Sequence, residues 1–507
     1  MNKTTAELNP AEIPFRGLIT VSIMLATIMQ VLDTTIANVA LPHMQGSLTA
    51  TQEQITWVLT SYIVASAIMT LPTAWLAGRF GRRRVFLITV SGFTLASILC
   101  GMAGSIEQMV LFRILQGCFG AALVPLAQAT MLDINPRENH GKAMALWGMG
   151  VMIGPILGPT LGGWLTESYS WRWVFYINLP LGIIAFLGIL FFMPDSQRVN
   201  RPFDKFGFLM LTVIIGSAQL LMDRGEHEDW FESREIILYC ALAGSGLWMY
   251  IVHSLRAQHP FLSPAIFKDL NLVTSLVFIF FIGIILLATM ALLPPYMQNL
   301  MGYPVLDVGI IMAPRGIGTM IAMMIVGRIS NHVDARTLII FGLGCTATSL
   351  YAMTGFSTYV PPDTLIWTGM MQGFGLGFIF VPLSTVAYAT LAPQYRAEAA
   401  SIFSLSRNMG SSVGISLVMT VLARNMAVNH AYLTENVTAQ TLGFGWNMVP
   451  QGLLEGAGGV LLMLDGEITR QAATIAYLDD FKLMMWVVLA VSPLVLLLRK
   501  PKGLTTA

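Results

Sequence analysis

Four charged side chains stand inside long apolar runs of this sequence: Asp33, Arg113, Arg315 and Arg407. A charge at the centre of a bilayer is disfavoured by about 2.5–3.5 kcal/mol on insertion scales, so such residues mark function by default. Asp33 is the one acid placed within a run. There it can carry a proton, taking it from water on one side and giving it up on the other. Arg113 is the natural counter-charge, because a nearby cation favours the carboxylate and its withdrawal favours the protonated acid. Asp33 lies about 8 residues and Arg113 about 6 residues from the ends of their runs, roughly 12 and 9 Å deep at 1.5 Å per residue. If those ends share a side, the two can meet. A static ion pair bracing two helices is the other role open to them.

Gln30 and Thr34 flank Asp33 at i−3 and i+1, where they could tune its hydrogen bonding. Gln116, Gly117 and Gly120 follow Arg113 at i+3, i+4 and i+7 and give that helix a polar, small face. One proton crossing with the membrane potential yields about 2.3 kcal/mol per 100 mV. At about 1.4 kcal/mol per decade, that supports roughly a fifty-fold substrate gradient. No Gly-rich phosphate loop with Lys and Ser/Thr occurs. The expected energy source is the proton-motive force, with no cofactor.

The elements that must hold these residues follow from composition. Of 507 residues, 55% are hydrophobic and 11% charged, against about 25% charged in soluble domains. The chain therefore reads as an all-α polytopic membrane protein. A net charge of +1 gives no case for a nucleic-acid partner. The four cysteines sit in apolar runs as packing residues, and the seven histidines are scattered without ligand spacing, so no metal is expected. Apolar runs of about 20 residues fall near 17–41, 54–76, 85–104, 108–131, 141–164, 173–193, 206–222, 236–254, 272–297, 306–328, 337–356, 364–391, 399–423 and 482–498, fourteen transmembrane helices in all. The first is too long for a cleavable signal peptide. Nineteen Lys and Arg residues then lie on the side of the N-terminus and six opposite, which makes both termini cytoplasmic by the positive-inside rule. The stretch of about 425–481 reads as a long outward-facing, periplasmic loop with some amphipathic helix.

Two halves resemble each other at an offset near 256: Gln116-Gly117 with Val124-Pro125-Leu126 matches Gln372-Gly373 with Val381-Pro382-Leu383. The repeat unit is six spans, with the seventh and eighth inserted between the halves. That gives an N-terminal six-helix bundle over 1–200, two inserted helices over 201–265 and a C-terminal six-helix bundle over 266–507. Neither Asp33 nor Arg113 has a charged counterpart; they align near Leu286 and Gly369. The run Gly150-Val-Met-Ile-Gly154-Pro155-Ile-Leu-Gly158-Pro159-Thr-Leu-Gly162-Gly163 places glycines on one helix face, where another backbone can approach closely. Near Arg407 and Ser412, span thirteen carries other residues at the places of Gly150 and Pro155. This assigns the close-packing face to one half and suggests rocking where the glycine helix meets the arginine helix.

The motifs Leu32-Asp33-Thr34-Thr35-Ile-Ala-Asn38, Leu76-Ala-Gly78-Arg79-Phe-Gly81-Arg82-Arg83-Arg84, Leu111-Phe-Arg113-Ile-Leu-Gln116-Gly117, the glycine–proline run and Trp171-Arg172-Trp173-Val-Phe-Tyr-Ile-Asn178-Leu-Pro180 occur in order. Together they resemble the fourteen-span drug:proton antiporter branch of the major facilitator superfamily over nearly the whole chain. Met222-Asp223-Arg224-Gly225 with Asp229-Trp230-Phe231 is similar to the EmrB-type inner-membrane pumps of Gram-negative bacteria. The resemblance implies the major facilitator fold and proton-coupled multidrug efflux by alternating access. It also implies a bacterial inner-membrane location, a periplasmic adaptor (EmrA-like) and an outer-membrane channel (TolC-like).

Within that resemblance, Arg79, Gly81 and Arg82 match a latch between spans two and three, to which Gly78 also belongs by position. The pattern's usual acid is replaced by Gly78. Gly150, Gly154, Pro155, Gly158, Gly162 and Gly163 match the export motif of span five. Three in-span arginines against one aspartate favour anionic or neutral lipophilic substrates over cations, with Gln30, Thr34, Gln116, Arg315, Arg407 and Asn408 as cavity residues. The outward loop and the acidic connection of Asp223, Glu226, Glu228, Asp229, Glu232 and Glu235 are possible docking surfaces. A solute/proton symporter of the same fold is the alternative, which the export motif argues against. A polytopic membrane enzyme lacks a metal or nucleophile constellation, and a channel lacks rings of charge at one pore level.

Overall fold

A computed structural model of the chain describes residues 14–196, 198, 202–225, 228–330, 332–435 and 457–499, which form helices and no strand. In chain order they are α1 (Arg16–Ser47), α2 (Gln52–Thr70), α3 (Thr73–Phe80), α4 (Arg82–Met102), α5 (Ile106–Gly120), α6 (Leu123–Ile134), α7 (His140–Ser168), α8 (Trp173–Tyr176) and α9 (Asn178–Phe192). After them come α10 (Lys205–Arg224), α11 (Arg234–Arg256), α12 (Leu270–Pro295), α13 (Val305–Ile329), α14 (Ala335–Met353), α15 (Pro362–Ala389), α16 (Arg396–Glu435) and α17 (Ala457–Val491). Helix starts fall where a side chain can satisfy the free N–H groups of the first turn. Thr51 and Gln54 close a reciprocal capping box on α2, and Asp204, Asp269 and Asp334 each accept from a backbone N–H two or three residues on.

Among the described residues, 13 helices are long and apolar enough to cross a membrane, counting α5 with α6 and α8 with α9 as single spans. The pair α2 and α3, bent by 53° at its break, makes a fourteenth. Large apolar side chains such as Leu95, Leu111, Ile184, Trp248 and Leu489 point outward, as a bilayer requires. Helices α1–α9 pack among themselves, as do α12–α17, and α7 lies along α13 between the two groups. The inserted α10 rests on α2 through Leu211 and Ile215 against Ala67 and Leu71, and Gln219 Nε2 donates to Ser412 Oγ of α16 at 2.6 Å. Of α11, only Ile236 and Gly246 are buried.

Two expectations change. The stretch of 425–481 is not chiefly a loop: α16 runs on to Glu435 and α17 begins at Ala457, so only 436–456 lie outside the described residues. Charges such as Glu467, Arg470, Asp479, Asp480 and Lys482 depress the hydropathy of this stretch although its backbone is helical. The glycine face of α7 meets α1 of its own bundle, not an arginine-bearing helix of the other. A Cβ on Gly154 would come 3.0 Å from the Leu32 backbone N, and one on Gly158 2.1 Å from Thr35 Oγ1. Nor is this face confined to one half. Gly410 and Gly414 of α16, at the same offset of 256 from Gly154 and Gly158, press equally closely on Phe280 and Ile284 of α12. Between the halves, close approaches come from Gly309, Gly316 and Gly327 of α13, against Thr160, Ile156 and Ala145 of α7, and from Gly141 and Gly148 of α7, against Ser330 and Met323. Gly163 has open space around it, so it has no packing role of this kind.

Candidate functional site

The site is made by two tight helix contacts. Gly154 and Gly158 seat α1 on α7. Gly117 brings α5 onto α2 so closely that a Cβ there would lie 2.5 Å from Tyr62 O. The first contact fixes the face of α1 that carries Asp33. The second sets the guanidinium of Arg113 over the Tyr62 ring, 4.3 Å from its centroid, with Nε donating to Val58 O at 3.0 Å. Gly117 and Gly120 therefore serve helix packing and do not line a cavity.

Asp33 and Arg113 meet as the sequence suggested, with 1% and 0% of their surface exposed. Arg113 Nη1 donates to Asp33 Oδ2 at 2.7 Å and to Gln116 Oε1 at 2.7 Å. Gln116 Nε2 and Asn178 Nδ2 both donate to Asp33 Oδ1 at 2.8 Å, and Asn178 Nδ2 also reaches Ser97 Oγ at 2.8 Å. Two helices, α1 and α5, and the start of α9 thus meet at one carboxylate, with Ser97 of α4 behind Asn178. Every contact it makes is with a donor, and two of those donors are neutral amides that can stay when the arginine moves. Removing one partner of such a buried pair strands the other, a loss of about 3–5 kcal/mol.

Gln30 and Thr34 are not among the hydrogen-bond partners of Asp33; Thr34 Oγ1 turns back to Val31 O of its own helix at 2.8 Å. Asn178 and Ser97 take the tuning role instead. Asn178 stands in a quoted motif, and its signal was a lone amide opening an apolar helix.

The other two arginines lie in the second bundle and do not join this network. Arg315, 6% exposed, gives Leu286 O one hydrogen bond at 3.2 Å from Nη2, while its buried Nη1 has no partner. Arg407 is half-buried and has no ion-pair partner among the described residues. The backbone carbonyl of Arg407 accepts from Ser411 Oγ at 3.0 Å, and that of Asn408 from Ser412 Oγ at 3.3 Å.

Gly81 adopts φ +90, a conformation that favours glycine, and it turns the chain from α3 into α4. Arg82 then pairs with Asp133 of α6, and Arg396 Nη1 of α16 reaches the same carboxylate at 2.8 Å. Asp133 thus pairs with an arginine of each bundle. Position 78 has open space, and Arg79 is exposed and forms no ion pair among the described residues. Asp133 was not read as functional because it stands near a span end, where charges are common.

The acidic connection between α10 and α11 is partly used internally. Asp223 accepts from Thr60 Oγ1, and Arg224 pairs with Glu228 at 2.6 Å and Glu235 at 2.8 Å. Glu226 lies outside the described residues. Among the described residues, no cluster of His, Cys, Asp and Glu could hold a metal.

The sequence profile of the Major Facilitator Superfamily matches residues 23–415. The chain is 34% identical over 497 residues to the multidrug export protein EmrB of Escherichia coli K12, covering 96% of each chain. It is also 34% identical to the fatty acid resistance protein FarB of Neisseria gonorrhoeae, covering 95% of this chain and 96% of that one. The fold is similar to the crystal structure of the human organic anion transporter MFSD10 (TETRAN), with a TM-score of 0.58 at 14% identity, covering 94% of this chain and 100% of that one.

Proposed function

The chain belongs to the Major Facilitator Superfamily and is a membrane transporter, not an enzyme; from that premise we propose that it is a proton-coupled antiporter that exports lipophilic toxic compounds by alternating access. Its relatives named for multidrug export and fatty acid resistance match it nearly end to end, which supports efflux as the direction. The observation that carries proton coupling is the Asp33–Arg113 pair, buried and held by two amides, Gln116 on the same helix as Arg113 and Asn178 at the start of α9. A carboxylate so enclosed releases or takes a proton only when helices part. Withdrawal of Arg113 lets Asp33 load a proton from the outer side, and its return expels the proton to the cytoplasm.

Arg315 and Arg407, both without ion-pair partners among the described residues, make anionic or neutral lipophiles the preferred substrates. A relative named for resistance to fatty acids, which are anionic at neutral pH, supports this. The membrane is the bacterial inner membrane, with both termini cytoplasmic and Asp133 latching the cytoplasmic side. An EmrA-like adaptor and a TolC-like outer-membrane channel would carry the substrate onward.

Everted vesicles test the reading. With the lumen acidified, a substrate triggers luminal alkalinisation through the wild type and none through Asp33→Asn. Full proton dependence in that variant overturns the coupling role of Asp33. If permanently charged cations are the best substrates and are indifferent to Arg407→Ala, the substrate assignment is wrong.

A further inference from the structure

Asp480 lies on the buried stripe of α17, in line with Ala473, Ala476, Met484 and Val488, and is 0% exposed. Among the described residues, neither of its carboxylate oxygens has a hydrogen-bond partner. An ionised carboxylate in that setting would lose its hydration with nothing to replace it, a penalty of several kcal/mol. A protonated one is simply a buried polar group.

Among the described residues no cation forms an ion pair with it. On α17 its ionisable neighbours are Tyr477, Asp479 and Lys482. The π-turn after α12 presents Tyr296, which meets Tyr477 and Phe481 edge-on with ring centroids 5.4 and 6.5 Å apart and whose hydroxyl also lacks a partner among the described residues. The end of α14 presents Tyr351. On α16, the contact of His430 Nε2 with Asp465 Oδ1 at 3.0 Å fixes an antiparallel register. That register sets Asp480 at about the level of Ser416, a buried hydroxyl without a partner. The charged residues of α16 on either side of that level, Arg407 and Arg424, are more than two turns away, roughly 12 Å along the axis.

Polar groups lie beside Asp480 along α17 on two sides, though none among the described residues bonds to it. A cavity of about 330 Å³ between α14 and α17, lined by Tyr351, Thr354, Asp479, Lys482 and others, opens one residue away. One turn further along α17, Met484 Sδ accepts from Thr289 Oγ1 at 3.7 Å, and Thr289 accepts from Gln372 Nε2 at 3.0 Å. Gln372 is the repeat counterpart of Gln116, the residue that holds Asp33.

We propose that Asp480 is a second proton-carrying site, located in the C-terminal bundle, which takes one proton from water in the α14–α17 cavity and releases it to the other side when the bundles move. The carboxylate gains and loses a proton only; no electron or covalent bond is involved. This inference rests on the proton-coupled reading of the transporter. For a neutral substrate, a second proton squares the gradient that a given membrane potential can support.

Two measurements test it. Infrared difference spectroscopy of purified protein in lipid vesicles at neutral pH, wild type against the isosteric Asp480→Asn, should show the carbonyl band of a protonated carboxyl that the variant lacks. Proton-to-substrate stoichiometry from reversal potentials in proteoliposomes should be two in the wild type and one in Asp480→Asn, whereas Asp33→Asn should abolish coupled flux. Identical spectra, or an unchanged stoichiometry in Asp480→Asn, overturn the proposal while leaving the Asp33 mechanism standing. If the wild type moves no protons with substrate, the antiporter reading itself fails. If Asp480→Asn does not fold, Asp480→Glu keeps the test: it should retain both the band and the stoichiometry of two, and loss of either in folded protein overturns the proposal.

Discussion

The two bundles share a scaffold but differ in their chemistry. Gly154 and Gly158 seat α1 on α7 as Gly410 and Gly414 seat α12 on α16, and Gly117 brings α5 to α2 as Gly373 brings α15 to α13. On this common frame the arginine has changed helices. In the first bundle, Gly117 faces Tyr62 and the guanidinium comes from Arg113. In the second, Gly373 faces Arg315, and the place of Arg113 is taken by Gly369, whose Cβ would lie 3.8 Å from the Cβ of Arg315. Gln116 serves an acid, whereas Gln372 serves a threonine. The acid of the first bundle is satisfied by three donors, and that of the second, Asp480, by none. Backbone proximity is required by the fold wherever it recurs, so the glycines repeat. Charges are not required by it, and where they differ between bundles they report what each bundle does.

The contrast can be broken by mutation. The largest effect is expected for Arg113→Ala, which strands the Asp33 carboxylate and should destabilise the protein by about 3–5 kcal/mol; Arg315→Ala, which removes a charge with a single carbonyl contact, should be far milder in the same thermal unfolding assay. Equal losses would erase the asymmetry. Next come the shared glycines. Gly158→Ala and Gly410→Ala place a Cβ 2.1 and 2.0 Å from neighbouring atoms and should each destabilise by about 1–3 kcal/mol through overpacking. Gly163→Ala, in open space, should be neutral or gain up to about 1 kcal/mol of helix propensity.

A smaller difference separates the glutamines. Gln116→Leu removes a bond to a charged acceptor, worth about 1.5–3 kcal/mol, and Gln372→Leu a neutral one, worth about 0.5–1.5 kcal/mol. The smallest stability change belongs to Asp133→Asn, because its two ion pairs are partly exposed and contribute about 0–1 kcal/mol each. Its consequence is conformational. Freed from Arg82 and Arg396, the face carrying Asp133 should open more often, read as faster thiol labelling of a cysteine introduced at Ser330. Unchanged labelling would deny Asp133 a latching role.

Hydropathy and spacing determine a good deal of this protein. They locate fourteen spans, expose the repeat through Gln116-Gly117 and Gln372-Gly373, and single out Asp33 and Arg113 as too expensive to be incidental in lipid. The span reading succeeds because the bilayer imposes a one-dimensional rule that each segment must satisfy alone. Partnerships are decided elsewhere. Asn178 holds Asp33, Asp133 pairs with both Arg82 and Arg396, and the α7 glycines seat α1 because helix rotation and crossing bring those faces together, and neither is written in any local window. Asp480 is the sharpest case. Beside Asp479 and Lys482 it looks like a residue of a hydrated loop, and only the packing of α12, α14 and α16 around α17 takes it out of water. The sequence shows which groups are charged; the tertiary structure decides which are buried, and with which partners.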